Sequence, residues 1–144
     1  MVYWLPYHDA LSVQLSRIKA LHGRALLWDA HSIASVVPRF FEGNLPHLNI
    51  GTANHASCDA GLAETVYALA AQSNYESVLN GRFKGGFITR HYGQPADNVH
   101  AVQLEIATRA YMQGDDVSKL DEQLSAKLRP TLRAMMQAML DWVS

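Results

Sequence analysis

Leu11, Leu15, Ile18 and Leu21 recur at helical spacing, so residues 9–22 are expected to form a helix with Asp9 as N-cap and Gly23 as its stop. Residues 24–28 read as a short buried strand. The segment 35–56 carries Pro38, Gly43, Pro46 and Gly51 among many polar residues and reads as a long loop, a feature that is usually functional or disordered. Asp59 can cap a second helix with Leu62, Val66 and Leu69 on one face. Two further strands are expected at 75–80 and 87–92, either side of the glycine-rich GRFKGG. In HAVQLEI, Val102, Leu104 and Ile106 alternate with Ala101, Gln103 and Glu105, the period of a strand with two unlike faces. Residues 118–143 are expected to be helical, with Leu120, Leu124 and Leu128 in register and Met135, Met136 and Met139 filling core. Pro130 should kink that helix or begin a second one. Helices alternating with short apolar strands imply an α/β layered architecture over a single domain, residues 1–144.

Composition narrows the setting. A chain of 144 residues, 49% hydrophobic and 17% charged, has enough material for one core and too little for two comfortable ones. There is no internal repeat, low-complexity tract or linker. A formal net charge of −1 gives no field to gather nucleic acid or an anionic membrane. The stretch KGGFITRHY invites comparison with an RNA-binding strand, but Gly86 stands where the first stacking aromatic belongs. Cys58 is the single cysteine, which rules out an intrachain disulfide and favours a reducing, cytoplasmic setting. MVYWLPYHDA lacks the basic flank and apolar core of a signal peptide, and no stretch nears the roughly 20 apolar residues of a membrane helix.

The candidate chemistry begins at LLWDAHSI, where an apolar run meets Asp29, His31 and Ser32 just past the expected end of a strand. Open α/β sheets bind ligands at such ends. Glu105 is expected near the end of another strand, facing away from its apolar neighbours. A neutral imidazole is a good zinc ligand, a nearby carboxylate can orient or join it, and a glutamate beside activated water can take its proton. One histidine and one glutamate do not make a metal site, and a hydrogen-bonded strand terminus is the simpler reading of Asp29 and His31. Arg82, Lys84 and Arg90 place three cations within nine positions of NGRFKGGFITRHYG. Guanidinium groups bind carboxylates through paired hydrogen bonds, so a small acidic substrate suits them; a solvated hairpin is the plainer alternative. Ser32 beside His31 is a weak nucleophile–base pair, because the fold rather than adjacency assembles such pairs. Cys58 is more simply structural than nucleophilic, and surface or capping roles suffice for His8, His22 and His47.

Taken together, YWLPYHDAL, LLWDAHSIAS, PRFFEGNLPHLNIGT, SCD, VLNGRFKGGFITRHYG and HAVQLEIATRAYM resemble the N-formylglutamate amidohydrolase (deformylase) family, in the family's order, from about Tyr3 to Met112. The resemblance implies hydrolysis of N-formyl-L-glutamate to formate and glutamate, the last step of one histidine degradation route. It implies a zinc-exopeptidase-like α/β fold, a mixed sheet between helical layers, present here only as its carboxyl-terminal, incomplete portion. By the same likeness His31 is a zinc ligand, and Asp29 either orients it or joins it on the metal. Glu105 is the general base and acid, and Arg90, with Arg82 and Asn80, binds substrate carboxylate. Family members are nearly twice as long, and the half without a counterpart here should carry the first metal ligands and an Asn-Arg pair that helps hold substrate. Two alternatives stand beside this reading: a noncatalytic remnant, and an amidohydrolase for another N-acyl acidic amino acid.

Overall fold

The computed structural model describes residues 2–113 and 116–142. Helix α1 spans Trp4–His22 and ends where Gly23 takes the left-handed conformation (φ 75°) and donates its N–H back to Lys19. The helix starts a turn and a half before Asp9, so Asp9 is an exposed interior residue and not the cap; Pro6 in the first turn is tolerated because no intrahelical N–H bond is lost there. Leu15 is buried and Leu11 and Ile18 pack beside it, whereas Leu21 is exposed.

Strand β1 runs Ala25–Ile33, five residues beyond the expected end, so Asp29, His31 and Ser32 lie within the strand. The 35–56 segment is not a continuous loop, because β2, Leu48–Gly51, is fully buried inside it. Helix α2, Ala60–Ala71, begins at Asp59, whose carboxylate accepts from the Gly61 N–H at 2.7 Å. Leu62, Ala63, Val66 and Ala70 are its buried stripe. Strand β3 is Ser77–Leu79. The expected strand at 87–92 is instead a short helix, α3, Phe87–Tyr92. Its aromatic and β-branched composition reads as strand, but its buried residues, Thr89 and Tyr92, are three apart, and tertiary contacts override so weak a preference. Strand β4 is Val99–Ala107. A small ladder of β5, Met112–Gln113, and β6, Asp116–Leu120, precedes α4, Glu122–Asp141. Residues 118–120 are therefore strand, Leu120 is exposed, and helix begins only where Asp121 accepts from the N–H groups of Gln123 and Leu124. Pro130 lies inside α4 and does not start a new helix. Met135 and Met139 are buried, Met136 is largely exposed, and Val143, in the expected tail helix, lies outside the described residues.

Strands β1 to β4 form one mixed sheet in the order β1-β4-β2-β3. β1 and β4 are parallel, β4 and β2 antiparallel, β2 and β3 parallel. Side chains alternate across this sheet. Leu26, Trp28, Leu48, Ile50, Val102, Leu104 and Ile106 face α2 and α4, where Leu62, Val66, Leu128, Met135 and Met139 complete the main core. A smaller cluster of Leu15, Ala25, Tyr92 and Val99 sits under α1 and α3 on the other face. The sheet is thus covered by helices on both faces, as expected, and β1 is an edge strand.

Candidate active site

The register of β1 against β4 sets the site. Asp29 lies opposite Gln103, and His31 opposite Glu105. Paired residues of a ladder point to the same face and residues two apart do likewise, so these four polar side chains share the face that carries α1 and α3. On β2 the same two rows continue as Gly51 opposite Gln103 and Asn49 opposite Glu105. Ser32 falls on the opposite face from His31, which removes it as a nucleophile served by that imidazole.

An open cavity of about 460 Å³ covers this patch, lined by Asp29, His31, Gln103 and Glu105 on the sheet and by residues 82–88 above it. The volume suits a small metabolite. His31 Nε2 stands 2.9 Å from Asp29 Oδ1, and the other carboxylate oxygen of Asp29 accepts from the buried Thr89 hydroxyl at 3.2 Å. α3 therefore holds Asp29, and Asp29 holds His31. Glu105 is 8% exposed; burial pushes its carboxyl above the ordinary value, the His31 ring opposes that shift and the Asp29 carboxylate adds to it. A carboxyl shifted in this direction holds a returned proton better than an ordinary glutamate does.

The overlying loop is fixed from several sides. A Cβ on Gly51 would stand 2.7 Å from Gly85 N and Lys84 C, so glycine there lets the loop backbone lie directly on the sheet. Gly85 itself has φ 123°. The Gly86 N–H donates to Gln103 Oε1 at 2.7 Å.

Of the residues singled out in the sequence, Asp29, His31, Glu105, Arg82 and Lys84 line the cavity, whereas Asn80 and Arg90 do not. Asn80 accepts from the N–H groups of Thr52 and Asn54 and donates to Thr52 Oγ1, bracing the turn after β2. The Arg90 guanidinium donates to the Gly85 carbonyl. Arg82 donates through Nε to the Phe40 carbonyl at 2.6 Å while its side chain remains exposed. Cys58 is buried, its thiol pushed up to about 12 chiefly by burial and further by the Asp59 charge, so it is inert as a nucleophile.

Three supports were not visible in the residue pattern. Gln103 reads only as the polar half of an alternation, and Thr89 as a strand residue. The third is a cluster at the far end of β4: Arg109 donates to Glu76 Oε2 and Leu45 O and meets His47 Nε2 at 2.8 Å. It clamps the 35–47 segment, from which Pro46 O accepts from Asn49 Nδ2; that same amide also reaches the Glu105 carbonyl.

A model of the N-formylglutamate amidohydrolase family matches residues 1–112. The chain belongs to that family. Among curated members, the N-formylglutamate deformylase of Pseudomonas putida is 49% identical over 140 residues, covering 96% of this chain and 52% of the relative. The Pseudomonas aeruginosa N-formylglutamate deformylase is 50% identical over 140 residues, covering 96% and 53%. The chain spans about half the length of the curated relatives it matches. A crystal structure of N-formylglutamate amidohydrolase from Ralstonia eutropha JMP134 shares the fold, with a TM-score of 0.79 at 22% identity over 96% of this chain and 51% of that one.

The family likeness brings zinc into question, and the side chains answer in part. Tetrahedral zinc with bonds of about 2.0–2.1 Å sets its ligands roughly 3.3 Å apart. His31 Nε2 and Asp29 Oδ1, at 2.9 Å, would need only a slight opening to share one ion. Catalytic zinc usually takes three protein ligands. No group of three candidate donors exists among the described residues. The pair fits part of a zinc site and does not complete it. Among the described residues no helix is long and apolar enough to cross a membrane.

Proposed function

We propose that this chain supplies the proton-handling side of an N-formyl-L-glutamate deformylase active site, with the remaining metal donors coming from polypeptide outside it. The observation that carries this reading is the convergence of Asp29, His31 and Glu105 on one cavity rimmed by Arg82 and Lys84. The substrate is a dianion with one small amide. Arg82 and Lys84 attract its carboxylates, and the glycine loop leaves room for it against the sheet. Arg90 and Asn80 act indirectly, by fixing the backbone on which Arg82 and Lys84 stand.

His31 and Asp29 would hold the metal, which supplies polarisation of the formyl carbonyl and a more acidic water when bound. Glu105 takes a proton from the attacking water and later returns it to the departing amine of glutamate. Asp29, fixed by Thr89, keeps the His31 ring in place. The products are formate and L-glutamate, which fits the last step of a histidine degradation route.

The test is formate release from N-formyl-L-glutamate with zinc, by the chain alone and mixed with the portion of a Pseudomonas relative that lies outside the match. Turnover is expected in the mixture and should fall by about 10²-fold or more in Glu105→Gln, with zinc content unchanged. Full turnover by Glu105→Gln, or release from other N-acyl acidic amino acids but not from the formyl compound, contradicts the reading.

A further inference from the structure

Gln103 is 4% exposed, yet it lines the cavity between the glycine loop and Glu105. A buried carboxamide is costly unless its polar atoms are matched. Its orientation is fixed by chemistry: a backbone N–H can be met only by the amide oxygen, and Gly86 N–H lies 2.7 Å from Oε1. Oε1 would also stand only 3.3 Å from a Cβ on Gly86, so the glycine permits this close seat. The Nε2 group, which can only donate, makes no hydrogen bond to the described residues and is not one of their sealed-off atoms, so it is open to the cavity that Gln103 lines.

Position adds to the argument. Gln103 sits in the row Asp29–Gln103–Gly51, immediately beside the row that holds His31 and Glu105. Its neighbours on the sheet include the Asp29 and Glu105 carboxylates, whereas the loop above presents Arg82 and Lys84. On the sheet side, an anionic ligand held by those cations would otherwise face the Asp29 and Glu105 carboxylates with only His31 between them. A neutral donor at this point offers a hydrogen bond to oxygen without adding charge beside Glu105.

The geometry points to Gln103 as a substrate-contacting residue: Oε1 pins the glycine loop through Gly86, and Nε2 donates to an oxygen of the acidic substrate. This rests on the deformylase reading and extends it to a residue that neither takes a proton nor holds metal.

The experiment uses the ¹⁵N-labelled chain with zinc and the unlabelled portion of a Pseudomonas relative used in the formate assay, titrated with N-formyl-L-glutamate and followed by NMR. The Gln103 side-chain NH₂ signal, identified by its loss in Gln103→Met, should shift saturably together with the cavity backbone amides. Gln103→Met should bind the ligand about tenfold more weakly, the range of one hydrogen bond to a charged partner, and its Gly86 amide should exchange faster. If Gln103→Met fails to fold, the side-chain signal of the unaltered chain decides. A ligand that shifts the Arg82–Gly86 amides but leaves the Gln103 NH₂ unmoved, or that binds Gln103→Met equally well, overturns the inference and spares the deformylase reading. No saturable shift anywhere in the cavity overturns both.

Discussion

The two faces of the sheet come from the same strands and serve opposite ends. On the face toward α2 and α4, Leu48, Ile50, Val102 and Leu104 are wholly buried among apolar partners. On the other, the positions between them are Asn49, Gly51, Gln103 and Glu105, equally hidden but polar or absent as side chains. Burial on the first face stabilises the fold, at roughly 25 cal/mol per Å² of apolar surface. Burial on the second opposes stability unless each group finds a partner, and Asn49 Oδ1 finds none among the described residues while burial disfavours the charged form of Glu105. A fold keeps such a face when chemistry occurs on it.

Substitutions on the two faces should therefore differ in size and, at Glu105, in sign. Leu104→Ala, on the apolar face, should show the largest effect, a loss of about 2–5 kcal/mol in urea unfolding. A loss no larger than that of a surface residue would mean the main core lies elsewhere. Gly51→Ala should cost about 1–3 kcal/mol, because its Cβ meets backbone that can yield only by lifting the loop. Faster hydrogen exchange at Gly86 should accompany it, and unchanged exchange would show that the loop does not rest on Gly51.

Glu105→Gln should show the smallest effect and the reverse sign. The folded-state value of Glu105 lies above the ordinary 4.5, so between the two the folded chain holds more protons than the unfolded one. Stability then falls as pH rises through that window, and the glutamine variant escapes the fall. Its Tm should equal that of the unaltered chain below about pH 4 and exceed it at pH 8. A lower Tm at pH 8 would show that the Glu105 charge is matched within the fold.

The same contrast explains what was legible in the sequence. The alternation of HAVQLEI shows directly which residues of β4 lie on each face, and Asp59 and Gly23 mark helix ends by chemistry local to them. The family motifs single out His31 and Glu105, but their alignment in register is a property of strand pairing, which the residues do not announce. β2 is not legible because it has only four residues, Leu48–Gly51, too few to show a period. α3 reads as a strand because Phe, Ile, Thr and Tyr favour strands, while the bond from Thr89 to Asp29 and the contact of Tyr92 with His8 act across 60 and 84 residues. A guanidinium in a glycine-rich segment is chemically apt for substrate carboxylate, and only the fold shows that Arg90 also donates to the Gly85 carbonyl.

The most direct measurement is a zinc titration of the chain and three single variants by equilibrium dialysis. One zinc per chain should bind weakly, and His31→Ala and Asp29→Ala should each reduce the affinity at least tenfold, while Ser32→Ala, one position along β1 but on the opposite face, should leave it unchanged. Equal zinc affinity in the unaltered chain and His31→Ala, or a loss in Ser32→Ala as large as that in His31→Ala, would contradict a metal held on the polar face of the sheet.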